Sequence, residues 1–571
     1  MQWILKELSD EQKRLQQQLV KELNISDTLA RLLVGRDIKN FEEAKKFFRP
    51  SKEHLHHPFL MHDMDKAVNR LHQAIQNKEK ILIYGDYDVD GTTAVSSMYL
   101  FLQQLTDKAL LDYYIPDRFQ EGYGVSYQGI EFAKKNGFTL MIILDCGIKE
   151  IEKIQHAQTI GIDCIVCDHH LPSAQLPPAY ALLNPKKPIC AYPYKELTGC
   201  GIGFKLMQAY CEKFQLPEPT YWNLIDLVAT SIAADIVSID DENRVLMHFG
   251  LQKMNQQPSI GLKKLFHIAF SNPHRELKVS DLVFIIAPRI NAAGRLEHGS
   301  KAVQLLIAEN EQEAETWAQQ LHDVNTQRQG MDKQTLEEAL HIIENDPHFH
   351  SKKSTVVFKQ TWNKGVLGIV AAKLAEKFYR PTIVLTEHNG YITGSARSIE
   401  DFDLYESLYA CKDVLYQFGG HKHAAGLSIE KHQLNAFIEK FEQQVQQSIT
   451  PQQQIRKLYA DAELRLHEIN HKFIRILKQF EPHGPSNPHP VFWIKQVQTT
   501  RMYEFGKGHL QCYLSQNAHK EYPAIFYNGL PFFDTMNHQP FDCLCKINVN
   551  NVQNEEPVYT LLIQDIKIHH I

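Results

Sequence analysis

Three short apolar runs, each closing on an aspartate, constrain this chain more than any other feature. Ile81–Tyr84 runs into Gly85-Asp86-Tyr87-Asp88-Val89-Asp90-Gly91, Leu140–Leu144 into Asp145-Cys146-Gly147, and Cys164–Cys167 into Asp168-His169-His170. Helical patterns separate them (Thr92–Leu105 follows the first), and the runs Tyr113–Ile115 and Ala181–Leu183 belong to the same series. Such alternation predicts a parallel sheet with crossover helices. Sites in open α/β sheets lie at the carboxyl ends of the strands, so these carboxylates converge. Unpaired, they repel one another and raise each other's pKa, a conflict that divalent cations resolve. Asp and His together suit Mn²⁺ or Mg²⁺. Two such ions about 3.5–4 Å apart can activate water and clamp a phosphate for hydrolysis.

Other readings of these residues are weaker. Asp-x-Asp-x-Asp-Gly also opens an EF-hand loop, but Ser97 stands at the twelfth position, which needs glutamate, and a strand precedes the motif. A lone strand-end aspartate such as Asp145 can be a helix cap, and Asp-His-His alone can be a solvated turn. A fourth acid, Asp235, sits in the apolar stretch Val228–Val237, read here as helix interior. Burial without a partner would be costly there, and the same cations would supply one.

The rest of the chain sets this region in context. Residues 1–60 read as helices. Residues 307–346, rich in Glu, Gln, Leu and Ala, read as one long or once-broken helix. Strands and helices alternate again from 354 to 445, with STVVFK, PTIVLTE and YITGSAR as strands and GVLGIVAAKLAEKF as a helix. After the polar TPQQQ segment, the runs HLQCYL, YPAIFY, FDCLCKINV and VYTLLIQDI suggest a small β-barrel or sandwich.

At 43% hydrophobic and 22% charged, the 571 residues are those of a folded chain. A net charge of −6 means that any nucleic acid must be held by local basic patches. No apolar run is long enough for a membrane span, and the charged start lacks the apolar core of a secretory signal. Ten cysteines are too few for a disulfide scaffold and fit a reducing cytoplasm. Cys164 and Cys167 fit a buried strand better than a redox or zinc motif.

Taken in order, the motifs resemble the DHH phosphoesterase superfamily. GDYDVDGTTA (85–94), LDCGI (144–148), CDHHLP (167–172) and SIAADIVSI (231–239) resemble its four catalytic motifs. PRINAAGRL (288–296) and GGHKHAAG (419–426) resemble signatures of the branch that degrades single-stranded DNA from the 5′ end. The resemblance covers about residues 55 to 565.

It implies an α/β fold: a DHH parallel-sheet lobe and a DHH-associated α/β lobe joined by a long helix, plus a C-terminal β-barrel of the OB type. The implied divisions are 1–55 (helical segment), 56–306 (DHH domain), 307–350 (connecting helix), 351–447 (associated domain) and 452–571 (OB-fold). Asp88, Asp90, Asp145, His169 and Asp235 would bind two Mn²⁺ or Mg²⁺ ions. Asp86 and Asp168 would be further ligands or would hold the ligands in place. Asp145, His169 and His170 would carry the catalysis, with His170 on the scissile phosphate. Arg118, Arg289, Asn291 and Arg295 would contact the nucleic acid, and Ser395, Arg397, Gly420 and His421 would form a phosphate site.

The implied activity is stepwise release of mononucleotides from single-stranded DNA in repair and recombination, by a cytoplasmic monomer working with a helicase or a single-strand-binding protein. Two alternatives stand beside it: a DHH phosphodiesterase of short oligoribonucleotides or cyclic dinucleotides, and a non-catalytic single-strand-binding protein. Tyr503, Phe505, Tyr513, Phe526 and Tyr527 are either base-stacking or barrel-core residues. Two departures stand out. EPHGPSNPHPVF (481–492) has His483 and Ser486 where the family usually has phenylalanine and glycine, and Tyr84 stands where many relatives have histidine.

Overall fold

A computed structural model describes all residues except 273–274, 517–519, 551–557 and 569–571. The chain forms two compact units: Trp3–Ala287 with Val303–Ala314 and Leu458–Ile571, and Pro288–Ala302 with Glu315–Lys457 and the first two residues.

In the first unit, strands β1 (Ile81–Gly85), β2 (Leu111–Tyr114), β3 (Leu140–Leu144), β4 (Asp163–Cys167) and β5 (Ala181–Leu183) form a sheet in the order β2-β1-β3-β4-β5. Every pairing is parallel. All five side chains of β3 are buried, each contributing about 1.5–3 kcal/mol. The expected strands are present, with β2 beginning earlier than the apolar run suggests. The first helix, α1 (Val89–Leu102), begins three residues before the expected Thr92, because Asp88 caps it by accepting the Gly91 N–H at 3.1 Å. Helices α2 (Gly199–Lys213) and α3 (Ile225–Ala234) complete the frame of the site. Asp235 is not inside α3, as its apolar flanks suggest, but is its C-terminal cap.

In the second unit, α4 (Ala287–Leu296, from Pro288 on) and the 34-residue α5 (Glu311–Glu344, from Glu315 on) accompany a mixed sheet. Strands β6 (Thr355–Phe358), β7 (Thr382–His388), β8 (Tyr391–Arg397), β9 (Gln417–His421) and β10 (Ala424–Ile429) take the order β9-β10-β8-β7-β6. Only β6 and β7 pair in parallel. The Gly419-Gly420 segment, whose sequence suggests a turn or an anion loop, instead lies in the edge strand β9.

The C-terminal strands belong to the first unit: β11 (Ala462–Glu463), β12 (Phe492–Phe505), β13 (His509–Ser515), β14 (Tyr522–Phe526), β15 (Phe541–Asn550) and β16 (Val558–Ile568). The ladder β12-β13-β14-β16-β15 closes by pairing β15 with β12. A closed five-stranded barrel is the OB arrangement. The long β12 is not among the expected strands, since its second half is polar and exposed. Leu19, Leu29 and Leu33 of the N-terminal helices share one apolar core with Phe492, Leu510 and Phe541 of the barrel. All ten cysteines are unpaired and buried.

No helix among the described residues is long and apolar enough to cross a membrane.

Candidate metal centre

The order of the parallel sheet reverses between β1 and β3, and crevices at such switch points are where open α/β sheets bind ligands. β1 delivers Asp86 and Asp88 there. The glycine that ends Asp-x-Asp-x-Asp-Gly has a steric cause: a β-carbon at Gly91 would lie 2.3 Å from the Asp86 carbonyl oxygen. Asp90, in the first turn of α1, reaches the start of α2. Its carboxylate accepts the N–H groups of Gly199 (2.7 Å) and Cys200 (2.8 Å) and the Ser231 hydroxyl (2.7 Å). The positive end of a helix dipole favours an anion at that point.

β3 delivers Asp145, whose backbone is left-handed (φ 61°). β4 delivers Asp168 and His169, and the end of α3 delivers Asp235. His169 Nε2 lies 3.2 Å from Asp145 Oδ1 and 3.7 Å from both Asp90 Oδ2 and Asp235 Oδ2. Ligand-type atoms gather within 4.8 Å in three overlapping sets: Asp86, Asp88 and Asp145; Asp90, His169 and Asp235; Asp145, His169 and His170. The structure thus brings together Asp88, Asp90, Asp145, His169 and Asp235, with Asp86 beside them, whereas Asp168 is not in these sets.

The electrostatics match this geometry. Burial, then the charges of neighbouring carboxylates, raises the pKa of Asp86, Asp88 and Asp145. The same causes push Asp235 up to about 8. Burial lowers that of His169. Asp86 Oδ1, Asp145 Oδ1 and His169 Nδ1 are buried with no hydrogen-bond partner. Clustered carboxylates with unspent lone pairs, beside an imidazole, form a donor set that fits a divalent cation of the Mn²⁺ or Mg²⁺ type.

His170 is held differently. Its Nδ1 lies 2.7 Å from Asp168 Oδ1, and Asp168 also accepts the Ile148 and His170 N–H groups. Burial lowers the His170 pKa, but the Asp168 hydrogen bond and charge outweigh it and leave it raised. The Tyr123 hydroxyl lies 3.2–3.3 Å from the His170 ring nitrogens and donates to the Asp145 carbonyl at 3.3 Å. Sequence reasoning passes over Tyr123, although it singles out Arg118 on the same loop. Arg118 packs 5.0 Å from the Tyr87 ring centre, and its charge opposes the rise in the Asp86 pKa.

The remaining candidates lie in the second unit. Arg289, Asn291 and Arg295 are half-buried on α4. Arg289 Nε reaches His322 Nδ1 (3.4 Å), and Arg295 reaches the Gly365 carbonyl (3.4 Å). On β8, Arg397 donates to Ser395 Oγ at 3.0 Å. Register places Arg397, Ala424 and His421 in one row across β8, β10 and β9, and Ser395, Gly426 and Gly419 in the next row of the same face. Gly420 falls on the alternate position. Its own constraint is steric: at φ 150°, a β-carbon would lie 2.3 Å from the Ala424 carbonyl oxygen.

Comparison with known proteins gives a concordant result. The model described as "DHH family, N-terminal domain" matches residues 80–232, "DHHA1 domain" residues 351–447 and "RecJ OB domain" residues 460–565. The single-stranded-DNA-specific exonuclease RecJ of Bacillus subtilis is 38% identical over 474 residues, 83% of this chain and 59% of that protein's length. The protein of the same name from Haemophilus influenzae is 33% identical over 81% of this chain and 82% of its own. The crystal structure of RecJ in complex with Mn²⁺ from Thermus thermophilus shares the fold, with a TM-score of 0.83 at 24% identity over 100% of this chain and 80% of that one. The three matched domains, in this order, and one-third identity across most of a full-length relative place the chain in the RecJ family of DHH proteins.

Proposed function

We propose that this protein is a metal-dependent exonuclease that hydrolyses single-stranded DNA from its 5′ end and releases mononucleotides. The observation that carries this reading is the convergence of Asp86, Asp88, Asp90, Asp145, His169 and Asp235 at the sheet's switch point, with buried carboxylate oxygens left unpartnered.

Asp88, Asp90, Asp145, His169 and Asp235 would hold two Mn²⁺ or Mg²⁺ ions, with Asp86 as a further ligand. Bound there, such ions supply an activated water and positive charge at the scissile phosphate. The chain's own groups do the rest. The α2 amides fix the Asp90 carboxylate. Asp168 orients the His170 ring and favours its charged form, so that it can donate a hydrogen bond to a phosphate oxygen as charge develops. Arg397, Ser395 and His421, on one sheet face, suit the 5′ phosphate, since arginine's planar fork matches phosphate oxygens. Gly420 gives that strand its close approach. Arg118, Arg289, Asn291 and Arg295 would contact the strand's backbone, and the barrel would hold the strand farther from the cut.

The domain division 1–55, 56–306, 307–350, 351–447 and 452–571 accompanies this reading, as do a monomeric state, a cytoplasmic location supported by ten unpaired thiols, and work alongside a helicase or single-strand-binding protein. The five-stranded barrel favours long strands over dinucleotides. The test is Mn²⁺-dependent digestion of a 3′-labelled single strand. Asp145→Ala and His169→Ala should keep strand binding and lose hydrolysis, and near-normal hydrolysis by either would refute the ligand assignment.

A further inference from the structure

Two large apolar side chains stand in solvent at the edge of the metal centre. Ile236, directly after Asp235, is 63% exposed, and Leu171, directly after His170, is 69% exposed. Their chain neighbours flank one ligand, since His169 groups with Asp235 and Asp90 on one side and with His170 and Asp145 on the other. Ile236 also carries a backbone cost. It lies in the left-handed region (φ 57°), and among the described non-glycine residues with positive φ it alone is β-branched. Glycine or asparagine would sit there with little strain, whereas isoleucine is a genuine outlier. α3 ends at Ala234, so a C-terminal glycine would have served the helix better. The helix end accounts for the left-handed backbone, but with 63% of it exposed the isoleucine side chain gains little from packing there. Strain of this kind persists where a site uses it.

We propose that Ile236, with Leu171, forms an apolar wall against the sugar of the nucleotide whose phosphate occupies the metal centre, and that this wall selects deoxyribose over ribose. This rests on the exonuclease reading above. Deoxyribose presents a methylene at C2′ and loses nothing against such a wall. Ribose presents a 2′-hydroxyl, the group by which a protein tells RNA from DNA, and it would lose its water partners there without replacement. Ile236 is then a specificity-determining residue. It does no chemistry, and its strain is tolerated because the side chain must project from that point.

The experiment compares cleavage of a 5′-phosphorylated DNA strand, the same sequence as RNA, and the DNA strand with one ribonucleotide at its 5′ end, all with Mn²⁺. The wild type should prefer DNA, and the single ribonucleotide should account for most of the loss. Ile236→Gly and Ile236→Asn should both lower the DNA-to-RNA ratio of kcat/KM about tenfold, mainly by lowering KM for RNA. Ile236→Gly should also raise the melting temperature, which a purely structural role for isoleucine would not allow. Ile236→Leu should keep the wild-type ratio. Wild-type protein that cleaves RNA as well as DNA would overturn the proposal, as would Asn and Gly variants that cleave DNA with the wild-type ratio. Wild-type protein that releases nucleotides from neither strand would instead refute the exonuclease reading.

Discussion

The backbone of Gly199 is in close contact with Asp145: a β-carbon at 199 would lie 2.5 Å from the β-carbon of Asp145. The same residue donates its N–H to Asp90 Oδ2 at 2.7 Å. One glycine therefore fixes the spacing between carboxylates that arrive from the start of α1 and the end of β3. Gly199→Ala should push α2 away from both. We expect about 1–3 kcal/mol of destabilisation from overpacking and a loss of about 100-fold in hydrolysis from a shift of about 1 Å at the centre. Thermal unfolding and single-turnover cleavage measure the two effects separately.

Ser486 stands at φ 61° in the loop after Glu481, where the family usually has glycine. Its hydroxyl lies 2.9 Å from the Ser238 hydroxyl, an exposed contact of small worth. Ser486→Gly should therefore stabilise the protein, by about 0.5–1 kcal/mol after the loss of that contact. Urea unfolding checks the sign.

The other departure in this loop predicts acid sensitivity. Burial, then the charges of His489, Arg36 and Arg244, lowers the His483 pKa well below the usual imidazole value. Burial takes His489 down to about 4, helped by Lys546, Lys278 and Arg36. The sign follows from proton counting. Between pH 6.5 and about 4 the unfolded chain holds protons on these rings that the folded chain does not, so stability falls as pH falls through that window. His483→Phe, which restores the family's residue, should flatten the decline. Denaturant midpoints at pH 7.5 and 5 in both proteins provide the comparison; an unchanged slope would contradict the account.

The barrel separates its aromatics by strand parity. Phe526 is buried in the core, whereas Tyr503, Phe505 and Tyr527 are exposed, with Phe505 and Tyr527 ring centres 6.4 Å apart. Arg501, Tyr503 and Phe505 alternate along β12 opposite Tyr513, Gln511 and His509. Base stacking on such rings is worth about 1–3 kcal/mol per base. Phe505→Ala with Tyr527→Ala should weaken binding of a long oligonucleotide in an anisotropy titration while leaving stability nearly unchanged. Phe526→Ala should instead cost about 3–5 kcal/mol of stability.

The candidate metal centre is legible in the sequence because strand periodicity announces where β1, β3 and β4 end, and the residue after each end needs no tertiary information to locate. Asp235 stands out as an acid out of place, but its role as a helix cap depends on where α3 stops, which apolar residues on both sides conceal. Tyr123 gives no signal, since a tyrosine in a polar loop has many uses and its partner, the His170 ring, is 47 residues away. β9 and β10 are hidden by glycine and histidine, which carry weak strand preference. β12 is hidden by the polar residues of its second half, which neighbours in the barrel hold in place. The shared core of the N-terminal helices and the barrel joins the two ends of the chain, and no local pattern encodes such a contact.

The ten buried thiols have a practical consequence. Burial raises the pKa of Cys164, Cys200 and Cys512 to about 12, so almost no thiolate exists at neutral pH. A mild oxidant or alkylating reagent should find nothing to react with while the protein is folded. Six of these thiols lie between Cys146 and Cys211, one is Cys411, and three line the barrel strands. The chain thus carries its own set of opening reporters: the order in which the cysteines become labelled under denaturant gives the order in which the catalytic sheet, the associated sheet and the barrel come apart.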